Sequence, residues 1–140
     1  MKRDLVLFAI GRISELAKQY LAGELRSHGM GDLGVSHMEI IGVLTRRQSV
    51  QLKDLVELIG KDKSTITALT KKLLKKGLIE KRSDPDDNRI SHISLTEKGR
   101  RLEPAVMAIS ARLRRKAYQD LGEEEKEQLA ALLEKIRRNF

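Results

Sequence analysis

No cysteine occurs among the 140 residues, which excludes disulfides, thiolate nucleophiles, cysteine metal sites and thiol redox sensing together. Tryptophan is also absent, and aromatic residues make up 3% of the chain. None of Phe8, Tyr20, Tyr118 and Phe140 lies in the most basic stretch, so the stacking platforms that single-stranded nucleic acid requires are missing. No apolar run approaches the roughly 20 residues of a membrane span, which leaves the positive charge without a bilayer role. The opening Lys2 and Arg3, followed by Leu5 to Gly11, imitates a signal peptide. Asp4 interrupts it, Arg12 closes it early, and no small-residue cleavage site follows. A reducing, cytoplasmic setting is expected, with no membrane partner.

The residues present are 40% hydrophobic and 34% charged, within the range of one folded, helix-rich domain spanning 1–140. The formal net charge is +8. Between residues 61 and 82, eight cations (Lys61, Lys63, Lys71, Lys72, Lys75, Lys76, Lys81 and Arg82) face two acids (Asp62 and Glu80), a net of +6. Charge concentrated in this way suits a polyanion, because each Lys or Arg that meets a phosphate releases condensed counterions.

Hydrophobic periodicity orders the elements. Val6, Ala9, Ile13, Leu16 and Tyr20 recur at three- and four-residue steps, predicting a long helix from Leu5 to about Ser27. Three glycines break it at 29, 31 and 34, and Ser36 with Glu39 reads as a capping box for a second helix ending near Arg47. Leu52, Leu55, Val56 and Ile59 predict a short third helix stopped by Gly60, and Asp62 caps a fourth. In that fourth helix Ile66, Leu69, Leu73 and Leu74 are expected to face inward. Gly77 ends it. Leu78 to Arg82 and Ile90 to Leu95 then form a hairpin across the turn-forming run Asp84-Pro85-Asp86-Asp87-Asn88. Thr96 caps a long helix with the stripe Leu102, Val106, Ile109 and Leu113, in which Pro104 either kinks the helix or marks a first turn. A last helix opens at Gly122 and carries Leu129, Leu132, Leu133 and Ile136, with Glu123 to Glu125 at its positive end.

The fold class that results is mainly α with a small β-hairpin wing. A winged helix-turn-helix over 36–96 is flanked by helices in 1–30 and 97–140 whose apolar stripes a second copy would cover. Major-groove readout needs hydroxyls and cations near the N-terminal end of an exposed helix. Lys63, Ser64, Thr65, Thr67, Ala68, Lys71, Lys72 and Lys75 meet that need, against the plainer reading of a solvated lysine face. Arg82 and Arg89 extend the basic surface onto the wing, where Arg89 suits a narrow minor groove and Asp87 is placed to orient it. Double-stranded DNA is therefore the expected partner.

Three stretches resemble the MarR family of winged-helix transcriptional regulators. Asp62-Lys63-Ser64-Thr65-Ile66-Thr67 through Leu73, Gly77 and Leu78 is similar to that family's recognition helix. Asp87-Asn88-Arg89 through Leu95-Thr96-Glu97-Lys98-Gly99 is similar to its wing, and Leu121 to Glu125 with Leu129 and Leu132 to its dimerising last helix. The resemblance implies a homodimer, a near-palindromic operator, wing insertion through Arg89, and an effector pocket between the dimerisation and DNA-binding parts. A repressor answering to a small aromatic or anionic effector is the form it most often implies, and Tyr20 and His37 are the pocket candidates. The plainer alternative for His37 is an exposed first-turn histidine.

Other chemistries fit poorly. Asp84, Asp86 and Asn88 mimic a calcium loop, but Arg89 replaces its glycine and Leu95 stands where its bidentate Glu belongs. Gly60-Lys61-Asp62-Lys63-Ser64 lacks the upstream glycine and Gly-Lys-Ser/Thr junction of a phosphate-binding loop. Glu24 and His28, one helical turn apart, read as a surface ion pair rather than a metal site. No nucleophile and base pair stands out, so no enzyme activity, metal or cofactor is expected. Two other readings remain open: a winged-helix module that binds an acidic protein, and a non-specific architectural DNA binder.

Overall fold

A computed structural model describes residues 1–140. After a 3₁₀ turn at Arg3–Leu5, helix α1 runs Val6–Ser27 and α2 Val35–Arg46; strand β1, Val50–Gln51, leads directly into α3, Leu52–Ile59. Helix α4 spans Lys63–Lys75. Strands β2, Ile79–Ser83, and β3, Ser91–Leu95, follow, then α5, Glu97–Arg100, α6, Glu103–Ala117, and α7, Glu123–Arg137.

The sheet has three strands in the order β1-β3-β2, all antiparallel, with Val50 opposite Ile93 and Ile79 opposite Leu95. Sequence patterning predicts only the β2–β3 hairpin. A two-residue strand is too short to show the alternation that reveals a half-buried strand, so β1 is visible only once β3 is beside it.

The buried core draws Leu21 and Leu25 from the end of α1, Ile40, Ile41 and Leu44 from α2, and Leu55 from α3. Ile66 and Leu73 join from α4, Ile93 and Leu95 from β3, and Val106 and Ile109 from α6. Helix α7 contributes no buried residue.

Several helix ends differ from their sequence expectation. Helix α2 is capped from Gly34, whose N–H donates to the His37 ring Nδ1 at 3.0 Å, and not by Ser36 and Glu39. On α4 Ile66 and Leu73 are buried as expected and Leu69 packs against the core, but Thr70 is buried with them and Leu74 is 36% exposed. Thr70 satisfies its hydroxyl on the Thr67 carbonyl at 3.0 Å, so its methyl packs inward without leaving an orphan donor. The long helix expected after Thr96 is two helices. Thr96 caps only the four-residue α5, and Pro104 lies in the first turn of α6, where a missing N–H costs nothing.

The α4–β2 junction fixes the reading helix to the wing. Gly77, at φ 69°, lets the Leu78 N–H reach the Leu73 carbonyl at 3.0 Å and its own N–H reach Leu74 at 2.9 Å, a Schellman close. The Thr96 hydroxyl donates to the Gly77 carbonyl at 2.5 Å and Lys98 Nζ to the Lys76 carbonyl at 2.9 Å. Gly99 packs so close to the Leu78 carbonyl that any side chain there would collide with it.

Candidate nucleic-acid interface

Helix α4 starts at Asp62, whose carboxylate accepts from the Thr65 N–H at 2.8 Å, the Thr65 hydroxyl at 3.0 Å and the Ser64 hydroxyl at 2.6 Å. These donors, the Ser64 hydroxyl foremost, hold the Asp62 carboxyl well below its ordinary range, at about 2. Thr67 donates to the Lys63 carbonyl at 2.7 Å. All three hydroxyls have therefore committed their protons inward, and what they offer outward is acceptor lone pairs. Lys63, Ser64, Thr67, Ala68, Lys71, Lys72 and Lys75 are exposed and Thr65 is half-buried.

The wing turn is built on carboxylates. Asp84 accepts from the N–H groups of Asp86 at 2.8 Å and Asp87 at 3.2 Å, and its other oxygen meets His92 Nε2 at 2.8 Å. Asp87 accepts from the Arg89 N–H and from Arg89 Nε and Nη2, all at 3.0 Å. This fork fixes the guanidinium plane while the Arg89 side chain stays 90% exposed. Pairing to Asp87 and projection into solvent are therefore compatible in Arg89. Arg82 is 77% exposed beside Glu80, at 3.1 Å.

Between α3, the start of α4 and the wing lies a groove of about 390 Å³ that brings Lys53, Lys63, Lys81 and Arg89 to one wall system. Lys53 escapes sequence reasoning because it lies outside the basic run, on the helix before the turn. Lys72 is placed differently from its neighbours: its ammonium donates to the Asp32 backbone carbonyl.

A second cavity, of about 460 Å³, separates the reading head from the long helices. Leu21 of α1, Val35, Met38 and Arg46 of α2, Leu58 of α3, and Ser110, Leu113 and Arg114 of α6 line it. Neither pocket candidate does. Tyr20 sits in a cluster on the α1–α6 face: burial and a hydrogen bond to Glu24 push its hydroxyl pKa up, and Lys116 Nζ stands 5.6 Å from its ring. Glu24 pairs with Arg112 at 2.7 Å, and His28 accepts no ion pair from it, binding the Glu24 backbone carbonyl through Nδ1 at 2.8 Å. His37 is buried, against the exposed alternative, and its Nε2 has no partner. No sequence signal distinguishes Arg46 or Arg114 from any other surface arginine.

A model of the MarR family matches residues 35–91. The HTH-type transcriptional regulator SarZ of Staphylococcus haemolyticus is 30% identical over 122 residues, covering 87% of this chain and 79% of that protein. The chain belongs to the MarR family. It is thus a winged-helix, DNA-binding transcriptional regulator. Among solved MarR-type structures, the transcriptional regulator SlyA superposes with a TM-score of 0.86 at 25% identity, over 96% of this chain and 92% of that one. The fold is also that of S. aureus MepR, solved as a DNA complex, with a TM-score of 0.87, 24% identity, and 100% and 99% coverage. No helix of this MarR-family chain is long and apolar enough to cross a membrane.

Proposed function

We propose that two copies of this chain form a homodimer that represses transcription from a near-palindromic operator and responds to a small effector. The observation that carries this reading is the separation of two surfaces. One end of the protomer holds the Lys53–Lys63–Lys81–Arg89 groove; the other leaves apolar side chains in solvent. Phe8 is 77% exposed, Ile13 63% and Leu132 56%, and Leu7, Leu16, Leu129 and Leu133 are exposed with them on α1 and α7. Stripes of this kind are costly on a lone protomer and natural in a seam between copies. Residues 1–30 and 97–140 would supply that seam, and 36–96 the reading head.

In the complex, Lys63, Ser64, Thr65, Thr67 and Ala68 meet base edges and sugar-phosphate in the major groove, with Lys71 and Lys75 on phosphates. Arg82 tracks the backbone, and Arg89, aligned by Asp87, enters the flanking minor groove. Two α4 helices about 34 to 36 Å apart would serve successive major grooves of one duplex face. The cavity between α2 and α6 is the effector site of choice, because Arg46 and Arg114 frame an apolar floor suited to an aromatic acid. A ligand there alters DNA affinity only by binding one head separation better than another.

Selection of bound sequences from a random duplex pool tests the reading. A palindromic consensus with half-sites one helical turn apart is the expected result. An enriched pool with no consensus would favour architectural binding, and no enrichment would favour a protein partner.

A further inference from the structure

Helix α4 carries four lysines, Lys63, Lys71, Lys72 and Lys75, and Lys76 caps its end; Lys72 and Lys76 are spoken for within the protomer. The segment between α1 and α2 brings Asp32 alongside α4. Lys76 Nζ forms an ion pair with the Asp32 carboxylate, and Lys72 Nζ donates to the Asp32 backbone carbonyl. Lys72 and Lys76 are one turn apart and so share a side of the helix. At about 100° per residue, Lys72 lies on the border of the outward face that Ser64, Lys71 and Lys75 centre, with Lys76 just behind it. The backbone under Lys76 is itself fixed, because its carbonyl accepts from Lys98. The Asp32 carboxyl is held below its ordinary range chiefly by the Lys76 bond, as a carboxylate in phosphate-like contact with an ammonium would be.

We infer that the Asp32 turn is an internal stand-in for a DNA phosphate: it withholds Lys72 and Lys76 from the duplex and thereby raises sequence discrimination. The sequence-independent part of DNA affinity grows with each phosphate neutralised, whereas base contacts alone tell one site from another. Two lysines removed from the first account leave a larger share to the second. This inference rests on the proposed DNA reading and adds to it an acidic residue, Asp32, that does not line the Lys53–Lys63–Lys81–Arg89 groove.

The test is a titration of the full chain with its selected operator and with a scrambled duplex of equal length, at several salt concentrations. Asp32→Asn keeps the size of a half-exposed side chain and removes its charge. It is expected to tighten scrambled-duplex binding severalfold, to steepen log K against log salt by about 0.9 for the one ammonium released, and to narrow the operator preference. Lys76→Met in the parent is expected to leave the salt slope unchanged on both duplexes. Combined with Asp32→Asn, it is expected to cancel the steepening, and Asp32→Glu to restore the parent slope. An unchanged slope in Asp32→Asn, a steepening that survives Lys76→Met, or a shallower slope in Lys76→Met alone would each overturn the inference. A parent chain that binds neither duplex would overturn the DNA reading as well, which separates the two failures.

Discussion

Arg89 shows how one side chain is readied before its partner arrives. Its two side-chain bonds to Asp87 already fix the guanidinium while leaving it in solvent, so little side-chain freedom remains to be lost on binding. Arg89→Ala is expected to weaken operator binding by about tenfold with the dimer intact, and Arg89→Lys to rescue little, since an ammonium cannot replace the fork. Fluorescence anisotropy on a labelled operator measures both, and full affinity in Arg89→Ala would remove the wing from the interface. His37 makes a prediction about stability instead. Its Nδ1 accepts from the Gly34 N–H, its Nε2 is buried without a partner, and burial, with Lys72 adding to it, lowers its pKa from the ordinary 6.5. Folded His37 is therefore neutral where the unfolded chain begins to take up a proton. Stability is accordingly whole above about pH 6.5 and falls as pH drops below that value. Thermal melts across this range should show the decline, and His37→Asn, which keeps an acceptor and cannot be protonated, should flatten it; parallel profiles would exclude the histidine as the source. The exposed face of α4 is legible in sequence because helical periodicity separates Ser64, Lys71 and Lys75 from the buried Ile66 and Leu73. The engagement of Lys72 is not, since its partner lies 40 positions away.

At the scale of elements, the joint between α4, β2 and α5 sets where the reading helix points relative to the wing. Three successive carbonyls at the end of α4, those of Lys76, Gly77 and Leu78, are taken up by Lys98 and by the hydroxyl and N–H of Thr96. Helix ends normally leave such groups to water, so this arrangement stiffens the junction as it satisfies it. Gly99→Ala drives a Cβ into the Leu78 carbonyl and is expected to destabilise the fold by about 1–3 kcal/mol or more, read as a fall in denaturation midpoint. A midpoint within error of the parent would show that α5 can shift freely. Helix and strand identities follow from hydrophobic period, turn residues and the Asp62 and Thr96 caps, all local features. The split into α5 and α6 is half legible, because Pro104 offers either a kink or a first turn and the structure takes the first turn. Pro104 has no N–H to offer the Arg100 carbonyl, so the helix restarts with it in the first turn of α6. The capping of α2 by His37 is hidden for a similar reason, as Ser36 and Glu39 present the commoner pattern.

Across the whole molecule, the core lies at one end and the uncovered apolar surface at the other. Residues 21 to 109 supply every buried side chain, while α7 and the first half of α1 supply none. A charge at Leu132 would sit unpaired in the proposed seam, so Leu132→Glu is expected to weaken self-association by on the order of a hundredfold or more. Sedimentation velocity reads this directly; an unaltered dimer would place the seam elsewhere, and the melting temperature guards against an unfolded variant. The apolar stripes that the head leaves uncovered are visible in sequence, but how two copies would meet on them depends on contacts between chains. Hydroxyl-radical footprinting on the selected operator, with the chain count per duplex taken from sedimentation equilibrium, reads the paired geometry itself. Two chains per duplex and two symmetric protected patches one helical turn apart are expected, each with a flanking minor-groove cut suppressed only when Arg89 is present. A single chain bound to one unbroken patch, or protection that Arg89→Ala leaves intact, would contradict it.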